Sequence, residues 1–311
     1  MHELFYLNQL NQAQANLYFQ MFDSVQRGDR SSHFHLSAPE PEMGLEDSFQ
    51  AYCALRKDHP EHFFLGTDVH RKQQGASVEL WAEPLYYPNQ IPRIEQQLNR
   101  FLDNICRTVC ASSQFEIEKQ VYERLCLLLE YQDTGSDYEY DIVGPILYHA
   151  GVCSGISNIF ALVMRHLRIP CIRIEGTGRN EGHAWNIVWI NNIPCHVDLT
   201  WEAVCSGRVG YFYFNRPSSA MAIDHKWEYA RYPACEDGRM SIIDRTGQSF
   251  VSPREAELTI VNAFRRGEKV VRFHCDSAKR TAKSALSGVP CGRYQYSVNE
   301  AQNCGIIVKN T

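Results

Sequence analysis

The stretch NEGHAWNIVWINNIPCHVDLTWE, residues 180–202, decides the fold because it has the pattern of two strands joined by a tight turn. Asn191 and Asn192 separate two alternating apolar runs. Asparagine tolerates the positive φ angles that a two-residue hairpin turn requires. With these two residues as the turn, Ile190 faces Ile193, and the register of the hairpin follows from that pair.

The same register places a histidine and a carboxylate on one face of the hairpin. Counting back from the turn puts Trp185 opposite Asp198, and His183 lies two residues before Trp185. His183 is therefore the diagonal neighbour of Asp198, where a carboxylate accepts the imidazole N–H and fixes its tautomer. A slip of one residue would separate the two side chains, so the pairing depends on the turn. Trp185 shares this face, where it either lines a substrate channel or belongs to the core.

A cysteine lies at the predicted start of a helix upstream of the hairpin. In YHAGVCSGISNIFALVMRHLRIP, residues 148–170, Cys153 follows small residues and precedes an amphipathic run. Unpaired backbone N–H groups and the positive end of the helix dipole stabilise a thiolate at such a position. Acyl transfer also requires an imidazole and an orienting carboxylate, so Cys153, His183 and Asp198 form the candidate triad. The backbone N–H of Cys153 is one candidate oxyanion donor.

These motifs resemble the core of the transglutaminase-like superfamily, which is related to papain-type cysteine peptidases. GVCSG before a helix, GHAWN on one strand and HVDLTW on the next occur in the expected order and spacing within residues 114–235. The resemblance implies Cys153 as nucleophile, His183 as general base and acid, and Asp198 as the residue that orients His183. It also implies an acyl-enzyme on a peptide or glutamine-like amide, resolved by water or by an amine.

Two flanking segments resemble bacterial members of the same superfamily, and two features depart from it. DHPEHFFL, residues 58–65, and DHKWEYARYPAC, residues 224–235, are similar to segments before and after the core. Many relatives carry a His-Asp pair in the helix before the core, whereas YERLCLLLEYQD, residues 122–133, keeps Tyr131 and lacks the pair. Animal transglutaminases depend on calcium sites, but no Asp-rich loop here has EF-hand spacing. A calcium requirement is therefore not supported, and no cofactor is expected.

The order of patterns predicts an α+β fold with a transglutaminase-like, papain-like core, in which a central helix packs on an antiparallel sheet. Three regions are expected. Residues 1–113 form a mostly helical N-terminal accessory region, residues 114–235 the catalytic core, and residues 236–311 a small α+β C-terminal region.

Local patterns predict the elements of these regions. Apolar spacing predicts a helix over residues 3–27, and the Gly, Pro and Ser content of residues 28–44 predicts a loop. Alternation predicts strands over residues 77–88 and in YFYFN, residues 211–215. Residues 93–131 are expected to form two helices.

Composition limits the classes of binding partner and the cellular compartment that we expect for this protein. The chain of 311 residues is 44% hydrophobic and 22% charged, and its net charge of −5 offers no basic face for nucleic acid. No apolar run approaches the roughly 18 residues of a membrane span, and the amino terminus lacks the pattern of a signal peptide. The twelve cysteines are scattered, which together with these features predicts a reduced, cytoplasmic protein. The expected partner is a peptide or protein substrate, without nucleic acid or membrane.

Other histidines and cysteines offer competing interpretations. His196 lies two residues before Asp198 and is the rival imidazole, ranked second because it neighbours Asp198 on the same strand. Cys106 and Cys110 have i, i+4 spacing, which is typical of a core-facing helix rather than a zinc knuckle. The remaining candidate ligands are loop histidines, for which scattered surface positions are the simpler explanation, so no metal site is expected: His33, His35, His59 and His62.

The sequence leaves open three enzyme activities and one non-catalytic role. Hydrolysis of the acyl-enzyme is favoured over amine transfer, because no pattern marks a second pocket for an amine. A thioester-dependent N-acyltransferase would use the same three roles, but the Arg-Gly-Gly-x-Cys setting is missing. A non-catalytic interaction module on the same fold is the alternative from another class.

Overall fold

The structure is a computed structural model, and the residues it describes are 4–37, 45–245, 249–250 and 252–310. The described residues form both helices and sheets, with runs of successive strands such as residues 171–209, as in an α+β protein, which confirms the predicted fold class. Contacts divide the chain into two compact units, each built from two segments: Met1–Thr108 with Tyr131–Arg173, and Val109–Glu130 with Ile174–Thr311. The expected region boundaries near residues 113 and 235 stay a prediction.

The α-helices are α1 (Gln12–Gln26), α2 (Leu45–Asp58), α3 (Ile91–Cys106), α4 (Gln114–Leu128), α5 (Val143–Leu147), α6 (Cys153–His166), α7 (Ser218–Met221), α8 (Ile242–Arg245), α9 (Pro253–Arg265) and α10 (Ala278–Gly288). The strands are β1 (His33–Ser37), β2 (Val69–Gln74), β3 (Ser77–Ala82), β4 (Glu130–Tyr131), β5 (Ala150–Gly151), β6 (Cys171–Gly178), β7 (Glu181–Ile190), β8 (Ile193–Val197), β9 (Val204–Cys205), β10 (Arg208–Val209), β11 (His225–Lys226), β12 (Val270–His274), β13 (Arg293–Asn299) and β14 (Cys304–Asn310). In the described part of the chain, no helix is long and apolar enough to cross a membrane.

The first helix is shorter than its sequence pattern predicts. Leu10 has an extended backbone, which separates a 3-10 turn from α1. Asn11 then caps α1, since its side chain accepts the Gln14 N–H at 2.9 Å while the Asn11 N–H donates to Gln14 Oε1 at 3.0 Å. The helix predicted over residues 3–27 therefore begins at the first good N-cap, and residue 3 lies outside the described part of the chain.

A strand replaces part of the predicted loop at residues 28–44, so that prediction was wrong for β1. Strands β1 and β2 flank β3 in an antiparallel sheet. Phe34 and Leu36 of β1 are buried while His33 and His35 point to solvent. The period-two burial of this short segment outweighs its loop-like composition. Residues 38–44 lie outside the described part of the chain.

In the second unit, a four-stranded sheet has the order β11-β6-β7-β8. Nearly all of β7 is buried, so this strand lies in the core of its unit. The strand predicted in YFYFN was wrong, because residues 211–215 form turns. Tyr211 and Asn215 have φ angles of 63° and 54°, which interrupt an extended chain. These aromatic residues are nevertheless buried, so the alternation reflected core packing rather than a strand.

The C-terminal segment has its own helix–sheet layer, as its patterns predict. Helix α9 begins at Pro253, and the Ser252 side chain accepts the Glu255 N–H at 3.2 Å. Strands β12 and β13 flank β14. Phe264, Phe273 and Ile307 belong to one buried cluster shared by these elements and α10.

Candidate active site

The hairpin of β7 and β8 has the predicted turn and register. Asn191 and Asn192 have φ angles of 51° and 66°, as a two-residue turn with positive φ requires. Ile190 pairs with Ile193, and the ladder continues to Asn186 opposite Val197. The Asn191 N–H also donates to Gln114 Oε1 at 2.7 Å, which ties the turn to the start of α4.

His183 and Asp198 are hydrogen-bonded, as the register predicts. His183 Nε2 lies 2.8 Å from Asp198 Oδ2, and the two residues are 7% and 1% exposed. Asp198 Oδ1 accepts the backbone N–H groups of Thr200 at 2.8 Å and Trp201 at 3.3 Å. The carboxylate is therefore held by the backbone turn that follows β8, while its second oxygen faces the imidazole.

Aromatic packing fixes the plane of the His183 ring. Trp201 stacks on it with ring centroids 4.5 Å apart and planes 21° apart. Trp201 in turn packs against Gly178 at the end of β6, where a Cβ would lie 2.4 Å from the indole. The Arg179 guanidinium covers the same indole at 4.4 Å. Any side chain at residue 178 would displace Trp201, so this glycine supports the position of His183.

A second imidazole, which the sequence analysis missed, binds the same carboxylate oxygen. His225 Nε2 lies 3.1 Å from Asp198 Oδ2, and His225 Nδ1 lies 2.8 Å from Asp224 Oδ1. Strand β11 brings His225 there by pairing it with Gly178 of β6. The DHKW segment containing Asp224 and His225 was noted only for its resemblance, and nothing local in it indicates the distant partner.

The electrostatics of this group favour charged forms on both sides. Burial alone would raise the pKa of Asp198, but hydrogen bonds from His183 and His225 and the attraction of their rings lower it well below its usual range. Burial would lower the pKa of His225, but hydrogen bonds to Asp198 and Asp224 and their negative charges raise it above its usual value. The group therefore behaves as a buried ion network.

The rival imidazole, His196, is engaged elsewhere. Its Nδ1 accepts the indole N–H of Trp185 at 3.1 Å, and its Nε2 lies 3.2 Å from Ser218 Oγ. Burial, together with the charge of His225, lowers the pKa of His196 to about 3, so the ring is neutral near pH 7. Trp185 is fully buried, which favours the core interpretation of this residue over a substrate-channel wall.

Cys153 is the first residue of α6, as predicted, and belongs to the first compact unit. It is a partly exposed free thiol, and its N-cap, Val152, supplies no side-chain cap for the first turn. Neighbouring residues fasten the helix start to the preceding loop. The Val152 N–H donates to the Glu139 carbonyl at 2.9 Å, and Ser154 Oγ donates to the Tyr140 carbonyl at 2.8 Å.

The loop approaches α6 so closely that only glycine fits at residue 155. A Cβ there would lie 2.5 Å from the Asp141 carbonyl oxygen and 2.6 Å from that of Glu139. The start of α6, which carries Cys153, and the turn after β8, which follows Asp198, are thus each held by hydrogen bonds within their own unit. A thiol nucleophile at a helix start and an imidazole–carboxylate pair are the groups that acyl transfer uses.

Comparison with protein-family models gives one match for this chain. Residues 103–201 match the family model of the transglutaminase-like superfamily, a range that contains Cys153, His183 and Asp198 and excludes His225. No curated protein matches the chain significantly.

Two solved structures resemble the chain over part of its length. One, described as a TGase, is 11% identical, with a TM-score of 0.32 over 54% of this chain and 51% of the other. The second, described as "a Putative Cysteine Protease from Cytophaga hutchinsonii", is 13% identical, with a TM-score of 0.30 over 43% of this chain and 62% of the other. This chain spans only about half to three fifths of those two proteins, as these shares show. The family match over residues 103–201 identifies the part of the chain that carries Cys153, His183 and Asp198 as a transglutaminase-like domain.

Proposed function

We propose that the chain is a cysteine enzyme that forms an acyl-enzyme on an amide of a peptide or protein. The observation that carries this proposal is the 2.8 Å contact between His183 Nε2 and Asp198 Oδ2 in a buried position. With Nε2 donating to the carboxylate, we assign the exchange of a proton with the thiol to Nδ1, the other ring nitrogen. A transglutaminase-like family match that includes Cys153 supports that thiol as the partner.

The reaction has two acyl-transfer steps. His183 Nδ1 takes the Cys153 thiol proton, and the thiolate attacks the amide carbonyl carbon. The carbon–nitrogen bond breaks as the His183 imidazolium returns that proton to the leaving amine, which leaves a thioester on Cys153. Water then attacks the thioester while His183 takes its proton, and the carboxylic acid and free thiol are released.

Hydrolysis is the proposed outcome, and an amine in place of water would give transamidation. The proposed setting is the reducing cytoplasm, where thiols persist as such. None of the twelve cysteines, all of them within the described residues, forms a disulfide, which agrees with that setting.

The proposed thiolate–imidazolium pair is tested by the alkylation rate of each cysteine as a function of pH. Limiting iodoacetamide is applied briefly to the native protein, to His183→Ala and to the surface control His166→Ala, and the modified peptides are mapped. Cys153 is expected to react at least about tenfold faster than the other thiols near pH 6, because the proposed thiolate–imidazolium pair would supply the thiolate that alkylation requires. This advantage should vanish in His183→Ala and persist in His166→Ala.

Equal reactivity of Cys153 and the other thiols in the native protein would contradict the proposal and favour a non-catalytic interaction module. A positive result is followed by a screen of peptide and glutamine amides, with Cys153→Ser as the inactive control. Ammonia release without peptide cleavage would identify a glutamine amidase, and new amine-terminated peptides would identify a peptidase.

A further inference from the structure

His225 occupies the centre of a chain of hydrogen bonds that runs through the interior of the second unit. Asp224, His225, Asp198 and His183 follow one another with contacts of 2.8, 3.1 and 2.8 Å. His225 is fully buried, and the side chains of Asp198 and Asp224 are 1% and 7% exposed. Such a chain has only a few consistent placements of its protons.

Counting donors identifies the protonation state of His225. Asp198 already accepts two backbone N–H groups and the His183 ring, so it acts as an ionised acceptor. Asp224 likewise accepts the Tyr213 hydroxyl at 2.6 Å and the Gln302 amide at 2.9 Å. Each nitrogen of His225 faces one of these carboxylates, so both nitrogens must donate. A histidine that donates from both nitrogens is an imidazolium.

We propose that His225 is a positioning residue: a buried imidazolium that fixes the Asp198 carboxylate and, through it, the ring of His183. The role in catalysis rests on the proposed function, whereas the charge state of His225 does not. The two rings share the single oxygen Oδ2, with centroids 5.3 Å apart, so a displacement of one alters the hydrogen bond of the other.

The charge of His225 also affects the proton affinity of its neighbour. Two negatively charged carboxylates contact His225: Asp198, which follows β8, and Asp224, which directly precedes His225 in the chain. His183 from β7, His196 from β8 and the Tyr213 hydroxyl are the other titratable groups around it. A fixed positive charge beside Asp198 offsets part of the attraction that this carboxylate exerts on the His183 proton. Loss of that charge should therefore make His183 hold its proton to higher pH.

The charge state is tested directly by nitrogen-15 NMR of the histidine rings in the full chain. The His225 ring should carry protons on both nitrogens from pH 5 through pH 8, whereas His196 should be neutral there. In Asp224→Asn, which preserves the shape of the acceptor, the His225 ring should begin to titrate within this range because one negative charge is gone. A neutral His225 ring at pH 6 in the native protein would overturn the proposal.

The positioning role is tested with His225→Gln, which keeps one donor and removes the charge. The NMR titration midpoint of the His183 ring should rise by about one pH unit, as expected for loss of a unit charge at this separation. His166→Gln should leave the His183 midpoint unchanged. An unchanged His183 midpoint in folded His225→Gln would overturn the role.

The two proposals fail separately. If the His183 midpoint rises but Cys153 never reacts rapidly in any variant, the proposed enzyme activity is wrong and the His225 inference stands. If Cys153 reacts rapidly and the His183 midpoint does not move, the enzyme proposal stands and the positioning role of His225 is wrong.

A different observation supports a second site, on the solvent-exposed face of β1 and β3. His33 and His35 point to the same side of β1, and Glu79 of β3 lies directly opposite His35. His33 Nε2 lies 2.8 Å from Glu79 Oε1, and the two histidine rings have centroids 5.0 Å apart. One ligand atom from each of the three residues lies within 4.8 Å of the others. The sequence analysis interpreted these histidines as scattered, but the strand pairing groups them.

We propose that His33, His35 and Glu79 bind a divalent transition-metal ion with imidazole preference, such as Zn²⁺ or Ni²⁺. Two imidazoles and one carboxylate are a common ligand set for these ions. The site is on one face of a paired sheet, so the three ligands are placed by the strands rather than by a loop. The side chains of His33 and Glu79 are 43% and 36% exposed, which leaves water to complete the coordination.

The probe is Ni²⁺, because its unpaired electrons broaden NMR signals near the site and so separate this site from binding at thiols. Substoichiometric NiCl₂ should broaden the ring signals of His33 and His35 before those of the other histidines. His35→Ala should weaken this effect at least about tenfold in concentration, as expected for loss of a ligand. The surface variant His166→Ala should leave it unchanged. Simultaneous broadening of all exposed histidines, or an unchanged response in His35→Ala, would overturn the site.

Discussion

The two proposed sites each combine two histidines with one carboxylate, and they differ in burial. His183, Asp198 and His225 are at most 7% exposed. In the other group, the side chains of His33 and Glu79 are 43% and 36% exposed. The two groups contain the same kinds of side chain, so we attribute the different chemistry that we propose for them to their burial.

The comparison shows how burial determines which ring nitrogens remain available. In the dry interior, an unpaired charge is expensive, so both rings direct a nitrogen at one oxygen of Asp198 and the charges neutralise one another. A ring nitrogen that donates to a carboxylate has no lone pair for a metal. At the surface, water competes for such pairs, so breaking the contact between His33 and Glu79 to bind a metal ion costs little free energy.

The largest expected effect comes from removing the shared carboxylate. Asp198→Asn leaves the charge of His225 facing Asp224 alone, and a broken buried ion network typically costs about 3–5 kcal/mol of the free energy of unfolding. Chemical denaturation measures this cost. The control Asp237→Asn removes the carboxylate of an exposed pair with Arg239, and we expect no measurable change there. Equal effects in the two variants would remove the distinction between buried and exposed pairs.

An intermediate effect is expected in the acid dependence of stability, because of His196. The native state keeps this ring neutral down to a pKa of about 3, whereas the unfolded chain protonates it below about pH 6.5. The unfolded state therefore binds one more proton between these values, and the free energy of unfolding falls by about 1.4 kcal/mol per pH unit as the pH drops.

His196→Asn should reduce that slope by about 1.4 kcal/mol per pH unit between pH 6 and pH 4, since its titrating ring is gone. Urea unfolding at a series of pH values measures the slope. His166→Asn alters an exposed histidine and should leave it as in the native protein. A slope in His196→Asn equal to that of the native protein would show that other buried groups account for acid sensitivity.

The smallest expected effect concerns metal and the exposed group. With free Ni²⁺ at ten times its dissociation constant, linkage predicts about 1.4 kcal/mol of added stability in the native protein. Differential scanning calorimetry should show the corresponding rise in Tm. The added stability should fall to about 0.4 kcal/mol or less in His35→Ala and persist in His225→Gln, because we assign the ion to the exposed group. A rise that depended on His225 instead would reverse the assignment of the two groups.

The parts of the site that the sequence predicts are those set by local counting. The turn at Asn191 and Asn192 fixes the register of the hairpin, and the register brings His183 to Asp198. The same is true of Cys153, whose place at the start of α6 follows from the amphipathic run behind it. Each of these inferences spans fewer than about twenty residues, over which helical and strand periods are reliable guides.

The parts that the sequence does not predict depend on contacts between distant segments. His225 reaches Asp198 because β11 pairs with β6, and no period in the DHKW segment indicates that partner. Strand β1 was missed because its neighbours have loop composition, although its burial alternates. YFYFN was mistaken for a strand because alternating aromatic residues indicate burial in a turn as well as in a sheet.

The length of the turn between β7 and β8 has a practical consequence for engineering this protein. The register depends on the number of residues between Ile190 and Ile193. The types of those two turn residues matter only because they must tolerate positive φ angles. A combinatorial library that replaces Asn191 and Asn192 with Asn-Gly or Asp-Gly should therefore preserve the spacing of His183 and Asp198. If the hairpin kept a two-residue turn, a library with one inserted codon there would shift the register by one residue and turn every following side chain of β8 to the other face.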